Sequence, residues 1–473
     1  MLKKLYINGQ WKESTTYTIL YSPFTNEAIA QIPVADIDTV EEAIQSASQA
    51  KKEMANLTSL EKSKILTDLA NILEQRRLEA AQIISLESAK PLKYSLAEID
   101  RTVETYRFSA EEAKRISGET IQMDAAKNGK GRVAYTQREP LGAIAAITPF
   151  NFPFNLVAHK IGPAIASGNT IVLKPASQTP LSAYFIAELL DQTDLPKGAF
   201  NVITGKGGLI GDYLVQHDEI DMVTFTGSPE VGIGIRNKAG LKKVALELGS
   251  NAGLIIDKNV TLQKIIEPCV VGAFSNQGQV CISLQRIYVM QELMEEFIEL
   301  FKKATEKLNL GDPLEAHTDI SSLIHQKENE RILTWIDEAL SRGATLLTGG
   351  EVMNGILKPT ILSNVPVDAK LSCEEIFGPV VTISSINSVD EGIEAINNSK
   401  YGLQAGIFTE NIKEAFKAIS ALKVGGVIVN DIPTYRVDQM PYGGVKQSGN
   451  AREGIKYTIQ EMTEMKLVVW NNN

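Results

Sequence analysis

The chain has 473 residues, and a length of this size predicts about two to four domains because a single hydrophobic core cannot serve it. Its 44% hydrophobic and 22% charged residues are typical of a soluble globular protein. The formal net charge of -10 disfavours sequence-independent nucleic-acid binding, which requires a cationic surface.

The N-terminal stretch MLKKLYINGQWKES becomes polar before an apolar run of secretory length develops. Since the chain also lacks a run of ~18 apolar residues, neither export nor a membrane span is expected. The three cysteines, Cys269, Cys281 and Cys373, are widely spaced and odd in number, which fits a reducing cytoplasm. No metal site is predicted, because the four histidines are scattered and no CxxC motif occurs.

Residues 38–116 have a helical pattern. Thr58 and Glu61 have the spacing of a capping box and predict a helix start. The helix that follows is expected to bury one apolar face, made of Leu60, Ile65, Leu66, Leu69, Ile72 and Leu73.

Residues 119–138 read as two strands joined by a turn rich in Gly, Lys and Asn, with no core of their own. Such a ribbon often packs on another subunit, but an ordinary surface hairpin is an equally common interpretation.

From Leu141 onward short apolar strands alternate with helices, which predicts parallel sheets with helices on their faces. A second alternating series follows Asn251. The fold class is therefore α/β, with two units joined near residues 247–250. The predicted strands are LGAIAAIT, TIVLKP, FNVITG and MVTFTG, then GLIID, RIYVM, ATLLTG, VVTISSI and GGVIVN.

Three strand ends carry residues suited to a dinucleotide. Gly227 and Ser228 lie between a strand and a helix start, where backbone N–H groups and the helix dipole favour a phosphate. Gly207 belongs to a second glycine-rich strand end, and each glycine alone is more often a plain turn. Lys174 and Ser177 follow a third strand, where a lysine is suited to ribose hydroxyls, although most lysines are simply solvated.

Cys281 stands in the stretch FSNQGQVCISLQR. A free cysteine is most often buried packing material, so the residue alone does not indicate a nucleophile.

Seven motifs nevertheless stand in the order found in one family. The chain resembles the NAD(P)-dependent aldehyde dehydrogenases over nearly its whole length, through PFNFP (149–153), GNTIVLKPA (168–176), FTGSPEVG (225–232), ELG (247–249), GQVC (278–281), EEIFGP (374–379) and MPYGGVKQSG (440–449).

The resemblance implies that Cys281 is the nucleophile, Glu247 the general base and Asn151 the side-chain donor of the oxyanion hole. For the cofactor it implies that Lys174 reaches the adenosine ribose and that Gly227 and Ser228 form the pyrophosphate turn. Glu375 and Phe377 would then lie beside the nicotinamide ribose and ring. Without the motif, Phe377 would read as core packing and Glu375 as a solvated carboxylate.

Two departures from the family pattern bear on these expectations. Many NAD-preferring members have glutamate where this chain has Ser177, and a carboxylate would repel a 2′-phosphate, so either NAD or NADP is expected. Ser250 replaces the second glycine of the usual ELGG, beside Glu247.

For the substrate, a helix starting near Pro153 would place Asn155 and His159 on one face, close to Asn151. Arg436 stands where members that bind apolar substrates carry an aromatic ring. These three residues predict a small polar or anionic aldehyde. The alternative is that Arg436 pairs with a carboxylate such as Asp438 and that His159 is a hydrogen-bonded core residue.

The resemblance extends to the branch of lactaldehyde, phosphonoacetaldehyde, sulfolactaldehyde and non-phosphorylating glyceraldehyde-3-phosphate dehydrogenases. It implies a dinucleotide-binding domain (1–117 and 141–248), a catalytic domain (249–447) and an oligomerisation arm with a C-terminal strand (118–140 and 448–473). A homodimer or homotetramer is expected. Two rivals remain: a CoA-acylating dehydrogenase, which typically lacks the base, and a catalytically silent binding protein on the same fold.

Overall fold

The computed structural model describes residues 1–472. Helices account for much of the chain. They are α1 (Ile37–Asn56), α2 (Ser59–Gln75), α3 (Arg77–Ser88), α4 (Leu92–Glu112), α5 (Asn155–Ser167), α6 (Pro180–Leu190), α7 (Asp212–Gln216), α8 (Pro229–Lys238), α9 (Leu262–Phe274), α10 (Met294–Thr305), α11 (Gln326–Ser341), α12 (Lys370–Cys373), α13 (Val389–Asn397), α14 (Ile412–Ala421) and α15 (Ile455–Glu461).

The strands are mostly short, as in other α/β proteins. They are β1 (Leu5–Ile7), β2 (Gln10–Lys12), β3 (Tyr17–Tyr21), β4 (Ala28–Pro33), β5 (Thr120–Ile121), β6 (Arg132–Pro140), β7 (Ala143–Ile147), β8 (Thr170–Lys174), β9 (Phe200–Val202), β10 (Met222–Thr226), β11 (Lys243–Glu247), β12 (Gly253–Ile256), β13 (Arg286–Met290), β14 (Thr345–Thr348), β15 (Val352–Met353), β16 (Ile356–Leu357), β17 (Thr360–Ser363), β18 (Val380–Ile386), β19 (Gln404–Phe408), β20 (Gly426–Val429) and β21 (Thr463–Asn471).

The predicted start of α2 is confirmed. The Thr58 side chain accepts a hydrogen bond from the Glu61 backbone N–H at 3.2 Å, and the Glu61 carboxylate accepts one from the Thr58 N–H at 2.7 Å. Most of the predicted apolar face is buried, but the prediction for Leu60 is wrong. Leu60 is 71% exposed because it lies in the first turn, on the solvent side of the helix.

The first sheet has the strand order β11-β10-β7-β8-β9-β1-β2. The strands from β11 to β9 are parallel, and β1 pairs antiparallel with β9 and β2. The carboxyl ends of the parallel strands therefore share one edge, where ligands bind in open α/β sheets. The sequence patterns did not predict β11, which ends in Glu247 and forms part of this edge.

The second sheet has the order β14-β17-β18-β13-β12-β19-β20. Its strands are parallel except at β14, which pairs antiparallel with β17. The expected α/β class with two mainly parallel sheets is confirmed, although β17 and β19 were not predicted. The boundaries of the three predicted domains stay predictions.

A third sheet is formed by β21, β6 and β5, all antiparallel. It joins the C-terminal strand to the ribbon predicted at 119–138, whose turn contains a 3-10 helix at Met123–Ala125. Large apolar side chains on β6 and β21 are exposed: Val133, Tyr135, Met465, Leu467, Val469 and Trp470. Within residues 1–472, none of the helices has the length and apolar character needed to span a membrane.

Candidate active site

Cys281 lies on the wall of a cavity of about 270 Å³. The residue is half-buried in the loop between α9 and β13. Its Sγ lies 2.8 Å from the hydroxyl oxygen of Tyr442. The same wall carries Lys90, Glu98, Arg101, Asn155 and Arg436.

The loop that leads to Cys281 has an unusual backbone. Asn276, Gln277 and Gly278 have φ angles of 50°, 54° and 69°. Residues other than glycine adopt this left-handed backbone conformation only at a cost in free energy. Gly278 has no substitute here, since a Cβ atom would lie 2.1 Å from the Gly378 carbonyl oxygen. Strained backbone of this kind is concentrated at functional sites.

The thiol of Cys281 is not activated by its surroundings as a whole. Burial raises its pKa to about 11, while the Tyr442 hydroxyl and the Arg436 guanidinium act in the opposite direction. Only the thiolate is strongly nucleophilic, so these two groups favour the reactive form.

Asn151 follows β7 and is brought close to the Cys281 loop. Its Nδ2 donates to the Gln279 carbonyl oxygen at 2.9 Å, and its buried Oδ1 has no hydrogen-bond partner among the described residues. Its backbone carbonyl accepts from Lys90 Nζ at 2.5 Å. The side-chain amide of Asn151 is thus held against Gln279, which precedes Cys281 by two residues.

Lys90 and Glu98 form a fully buried ion pair with 2.5 Å between Nζ and Oε2. The other carboxylate oxygen, Oε1, accepts the backbone N–H groups of Phe154 and Asn155 at 2.9 and 3.1 Å. A carboxylate at a helix N-terminus is favourable because those N–H groups have no partner within the helix. The pair therefore fixes both the start of α5 and the backbone of Asn151.

Glu247 ends β11 and is buried, and neither carboxylate oxygen has a hydrogen-bond partner among residues 1–472. Burial, reinforced by the nearby Glu453 carboxylate, raises the pKa of Glu247 well above its ordinary value. A Cβ atom at Gly443 would lie 3.0 Å from Glu247 Oε1, so the carboxyl group lies directly beside the residue that follows Tyr442.

The Glu247 backbone also holds the turn after β10. Its carbonyl oxygen accepts the Gly227 N–H at 3.0 Å. Gly227 must be glycine, because a Cβ atom would lie 2.5 Å from the Phe225 ring. Ser228 caps α8, and its Oγ accepts from the Val231 N–H at 3.4 Å. The predicted pyrophosphate turn is thus a tight glycine turn at a helix N-terminus.

Lys174 ends β8, and Ser177 follows it at the same sheet edge. Burial lowers the pKa of Lys174 to about 8, and its Nζ donates to the Pro175 carbonyl oxygen at 3.2 Å. Ser177 is exposed and its hydroxyl bonds the Gly205 carbonyl oxygen at 3.4 Å. That bond brings the second glycine-rich strand end, with exposed Gly207, next to Ser177.

Glu375 and Phe377 line a small recess together with Ser250 and Gly278. Glu375 Oε1 accepts the Ser250 backbone N–H at 2.9 Å, and burial raises the pKa of Glu375 to about 7. Phe377 has a φ of 50° and packs edge-on against Phe150, with ring centroids 5.8 Å apart. The serine that replaces a family glycine therefore contributes its backbone, not its hydroxyl, to this contact.

Arg436 is buried on the cavity wall and pairs with Glu453, not with Asp438, which the alternative interpretation names. Its Nη2 lies 2.8 Å from Glu453 Oε2 and 3.0 Å from His159 Nε2, and Asp438 is not its partner. The guanidinium carbon lies 3.8 Å from the centre of the Tyr442 ring. The buried Nε has no hydrogen-bond partner among the described residues.

The expectation that His159 faces the substrate needs correction. His159 is fully buried, and its Nε2 lies 2.8 Å from Asp438 Oδ1, behind the Arg436 side chain. It is the hydrogen-bonded core histidine of the alternative interpretation. Burial and the Arg436 charge lower the pKa of His159, which makes the imidazole neutral at pH 7.

Arg101 is a site residue that the sequence analysis missed. It comes from α4 and binds Asp438 with two bonds, at 3.2 and 2.7 Å, while its side chain keeps 29% exposure on the cavity wall. Asn155 does line the cavity, and its Nδ2 donates to Thr105 Oγ1 at 3.1 Å. The 337 residues that separate Arg101 from Asp438 leave no local signal in the sequence.

Most of the candidate residues thus lie at the Cys281 cavity or along the carboxyl edge of the first sheet. Comparison with known proteins gives the family. The family model described as "Aldehyde dehydrogenase family" matches residues 11–468. The chain belongs to the aldehyde dehydrogenase family.

Two relatives and one solved structure illustrate what this aldehyde dehydrogenase is similar to. It is 45% identical to a 3-sulfolactaldehyde dehydrogenase of Priestia aryabhattai (99% of this chain, 98% of the relative). A lactaldehyde dehydrogenase of Methanococcus aeolicus is 41% identical (99% and 100%). The crystal structure of glyceraldehyde-3-phosphate dehydrogenase GapN from Methanocaldococcus jannaschii, complexed with NADP, has 37% identity and a TM-score of 0.93 (97% and 100%).

This aldehyde dehydrogenase is therefore an oxidoreductase that uses NAD or NADP, and the expected fold, family and activity are confirmed. The roles of individual residues stay predictions.

Proposed function

We propose that this aldehyde dehydrogenase oxidises a small polar or anionic aldehyde to its carboxylate. The observation that carries the proposal is the placement of Arg101 and Arg436 on the wall of the cavity that contains Cys281. Their partner carboxylates, Asp438 and Glu453, lie behind the arginines. The wall therefore presents two guanidinium groups, which suit carboxylate, sulfonate, phosphate or hydroxyl groups.

The first step of the proposed reaction is attack of Cys281 Sγ on the aldehyde carbon. The carbonyl oxygen becomes an oxyanion, to which Asn151 Nδ2 and the Cys281 backbone N–H donate hydrogen bonds. Asn151 is suited to this role because its position is fixed by Gln279 and, through the backbone, by Lys90.

The residues along the first sheet edge fit a dinucleotide. Gly227 allows the backbone to approach a phosphate at the N-terminus of α8, and Lys174 is a buried donor bonded to a backbone carbonyl. Ser177, Gly207, Ser228, Glu375 and Phe377 would complete the groove. When bound, the nicotinamide accepts the hydride that leaves the tetrahedral carbon, and a thioester remains on Cys281.

Glu247 is the proposed base for the second step. Its carboxylate takes a proton from water, the hydroxide attacks the thioester carbon, and the C–S bond breaks to release the acid and the cysteine sulfur. Burial supports this role, because a carboxylate with a raised pKa is a stronger base than one in water.

The substrate class also draws on the relatives. One similar protein is named for 3-sulfolactaldehyde, one for lactaldehyde and one for glyceraldehyde 3-phosphate. The three aldehydes are short and polar, and two carry an anionic group.

The proposal is tested by measuring kcat/KM for sulfolactaldehyde, glyceraldehyde 3-phosphate, lactaldehyde and propanal in wild type and Arg101→Gln. Loss of one charge-assisted partner is expected to cost about 2–5 kcal/mol for the anionic aldehydes and to leave propanal within about twofold. Arg436→Lys keeps a cation beside Glu453 but loses the planar fork, so it serves as the matched variant at the second arginine. Equal losses for propanal would show that the arginines are structural.

The same assay addresses the two rivals. Formation of acid at full rate without CoA excludes the acylating reaction, whereas strict dependence on CoA would contradict the proposed hydrolysis. Cys281→Ala is expected to abolish NAD(P)H formation. Unchanged formation in that variant would favour a protein whose cysteine takes no part in catalysis.

For the whole chain we propose the domain division given by the sequence and a homodimer or homotetramer formed through the third sheet. The exposed apolar side chains of β6 and β21 support that assignment. A cytoplasmic location remains part of the proposal, and cell fractionation tests it.

A further inference from the structure

Tyr442 contacts the sulfur of the candidate nucleophile. Its hydroxyl oxygen lies 2.8 Å from Cys281 Sγ, and the side chain is 2% exposed. Burial raises the pKa of the Tyr442 phenol well above its ordinary value. The phenol therefore keeps its proton at physiological pH, and the hydroxyl is able to donate to a thiolate.

The phenol is held in one position from two sides. The Tyr442 N–H donates to the Glu453 carbonyl oxygen at 2.9 Å, and the Glu453 N–H donates back to Tyr442 at 2.6 Å. The Glu453 carboxylate in turn binds Arg436, whose guanidinium lies over the Tyr442 ring. Backbone pairing and the cation–π contact together leave the ring little freedom to turn away from the sulfur.

The charges around the sulfur do not favour a thiolate by themselves. Arg436 stabilises a negative charge there, whereas the Glu375 and Glu453 carboxylates disfavour it. The nearby Glu247 carboxyl group has no hydrogen-bond partner among residues 1–472, and its charge also raises the pKa of the Tyr442 phenol. A donor directly on Sγ is therefore the contact that distinguishes thiolate from thiol, since hydrogen bonds to charged groups are the strong ones.

We propose that Tyr442 is a further catalytic residue, whose hydroxyl donates a hydrogen bond to the Cys281 thiolate and stabilises it as nucleophile. The inference rests on the proposed role of Cys281. A thioester sulfur is a poor acceptor, so the bond stabilises the thiolate more than the acyl-enzyme. It therefore also assists the thiolate as leaving group when the C–S bond breaks.

The test measures alkylation of Cys281 by iodoacetamide between pH 6 and 11, in a Cys373→Ser background and by intact mass. The thiolate attacks the methylene carbon and iodide leaves, so the rate follows the thiolate fraction. In Tyr442→Phe the profile is expected to shift to higher pH, and the rate at pH 8 to fall about tenfold, which corresponds to one pKa unit. Tyr184→Phe is the matched control, because its buried hydroxyl bonds Thr204 instead.

Alkylation of Tyr442→Phe at the wild-type rate, or faster, would overturn the inference, while Cys281→Ala provides the blank for the buried Cys269. If Cys281→Ala still forms NAD(P)H, the proposed function fails. If it does not, and the profile of Tyr442→Phe is unmoved, only the role of Tyr442 fails. Should Tyr442→Phe not fold, 3-fluorotyrosine at this position keeps the ring and has a more acidic hydroxyl. It is expected to shift the profile to lower pH, and the absence of a shift would contradict the inference.

Discussion

Glu247 contributes to the site through both its side chain and its backbone. Its carboxyl group is buried without a hydrogen-bond partner among residues 1–472, and its backbone carbonyl fixes the Gly227 turn. An unpaired buried carboxyl group is expensive for the folded protein. The burial of an unpaired carboxyl group at this position therefore supports the proposed role of Glu247 as base, since an apolar packing residue would cost the folded protein less.

Glu247→Gln is expected to separate the two halves of the reaction. Attack and hydride transfer still proceed, so each site forms about one NAD(P)H, and turnover then falls about 10²- to 10⁴-fold because water is no longer deprotonated. Stopped-flow absorbance at 340 nm measures the burst.

The pH profile provides the control for that result. In wild type the active form of Glu247 is the carboxylate, so steady-state activity is lost as pH falls through its raised pKa, above the ordinary carboxyl range. A burst missing from Glu247→Gln, or an acid limb that persists unchanged in the variant, would contradict the role of Glu247 as base.

Ser177 is the residue that we expect to govern the choice between NAD and NADP in the proposed groove. It is exposed beside Gly205, at the bend where a ribose 2′-substituent is expected. Ser177→Glu is predicted to lower kcat/KM for NADP relative to NAD at least tenfold, because a carboxylate repels the 2′-phosphate. Ser177→Gln has a similar size without the charge and is the control in steady-state assays with both cofactors. Equal effects of Glu and Gln would indicate steric exclusion instead.

The N-terminus of helix α5 is capped by a carboxylate from helix α4. Glu98 of α4 receives the first N–H groups of α5, and Lys90 balances its charge while holding the Asn151 carbonyl oxygen. The position of Asn151, the proposed oxyanion donor, thus depends on a contact between two helices.

Lys90→Met is predicted to destabilise the protein by about 3–5 kcal/mol, because Glu98 would be left as an uncompensated buried charge. The double variant Lys90→Met/Glu98→Gln removes that charge and should recover much of the loss. Urea unfolding measures both. The double variant is nevertheless expected to keep a lowered kcat, since Asn151 has lost its anchor. Full recovery of kcat would show that Lys90 serves stability alone.

The third sheet is the surface through which we propose that whole molecules associate. Trp470 pairs with Val133 and Val468 with Tyr135 across β21 and β6, which places these side chains on one face. Val133, Tyr135 and Trp470 are all exposed in the monomer. Contiguous apolar surface of this kind marks an interaction site.

Tyr135→Ser/Trp470→Ser is predicted to convert the assembly to a smaller species. Light scattering after size-exclusion chromatography measures the mass. Leu241→Ser removes an exposed apolar side chain from a different surface and is expected to leave the mass unchanged. An unaltered assembly in the double variant would place the interface elsewhere.

Family motifs singled out Cys281, Glu247 and Asn151, because each stands in a short motif of the resemblance, and their catalytic roles stay predictions. The same reasoning failed for His159 because it gave the face of the helix without the depth of burial. Arg101 was missed because its contact depends on two distant segments that only the fold brings together. Strands β11, β17 and β19 escaped prediction, since mixed or small residues weaken their apolar pattern.

Glu453 holds both ends of the segment from Arg436 to Tyr442, one through its carboxylate and the other through its backbone. These contacts close the segment into a loop. The backbone hydrogen bonds between Tyr442 and Glu453 offset the conformational entropy that is lost when the loop closes. We therefore expect exchange of residue 436 to alter the cavity wall while the backbone pair at Tyr442 stays in place. Such a scaffold would allow substrate preference to evolve at one end of the loop while the contact to Cys281 is inherited at the other.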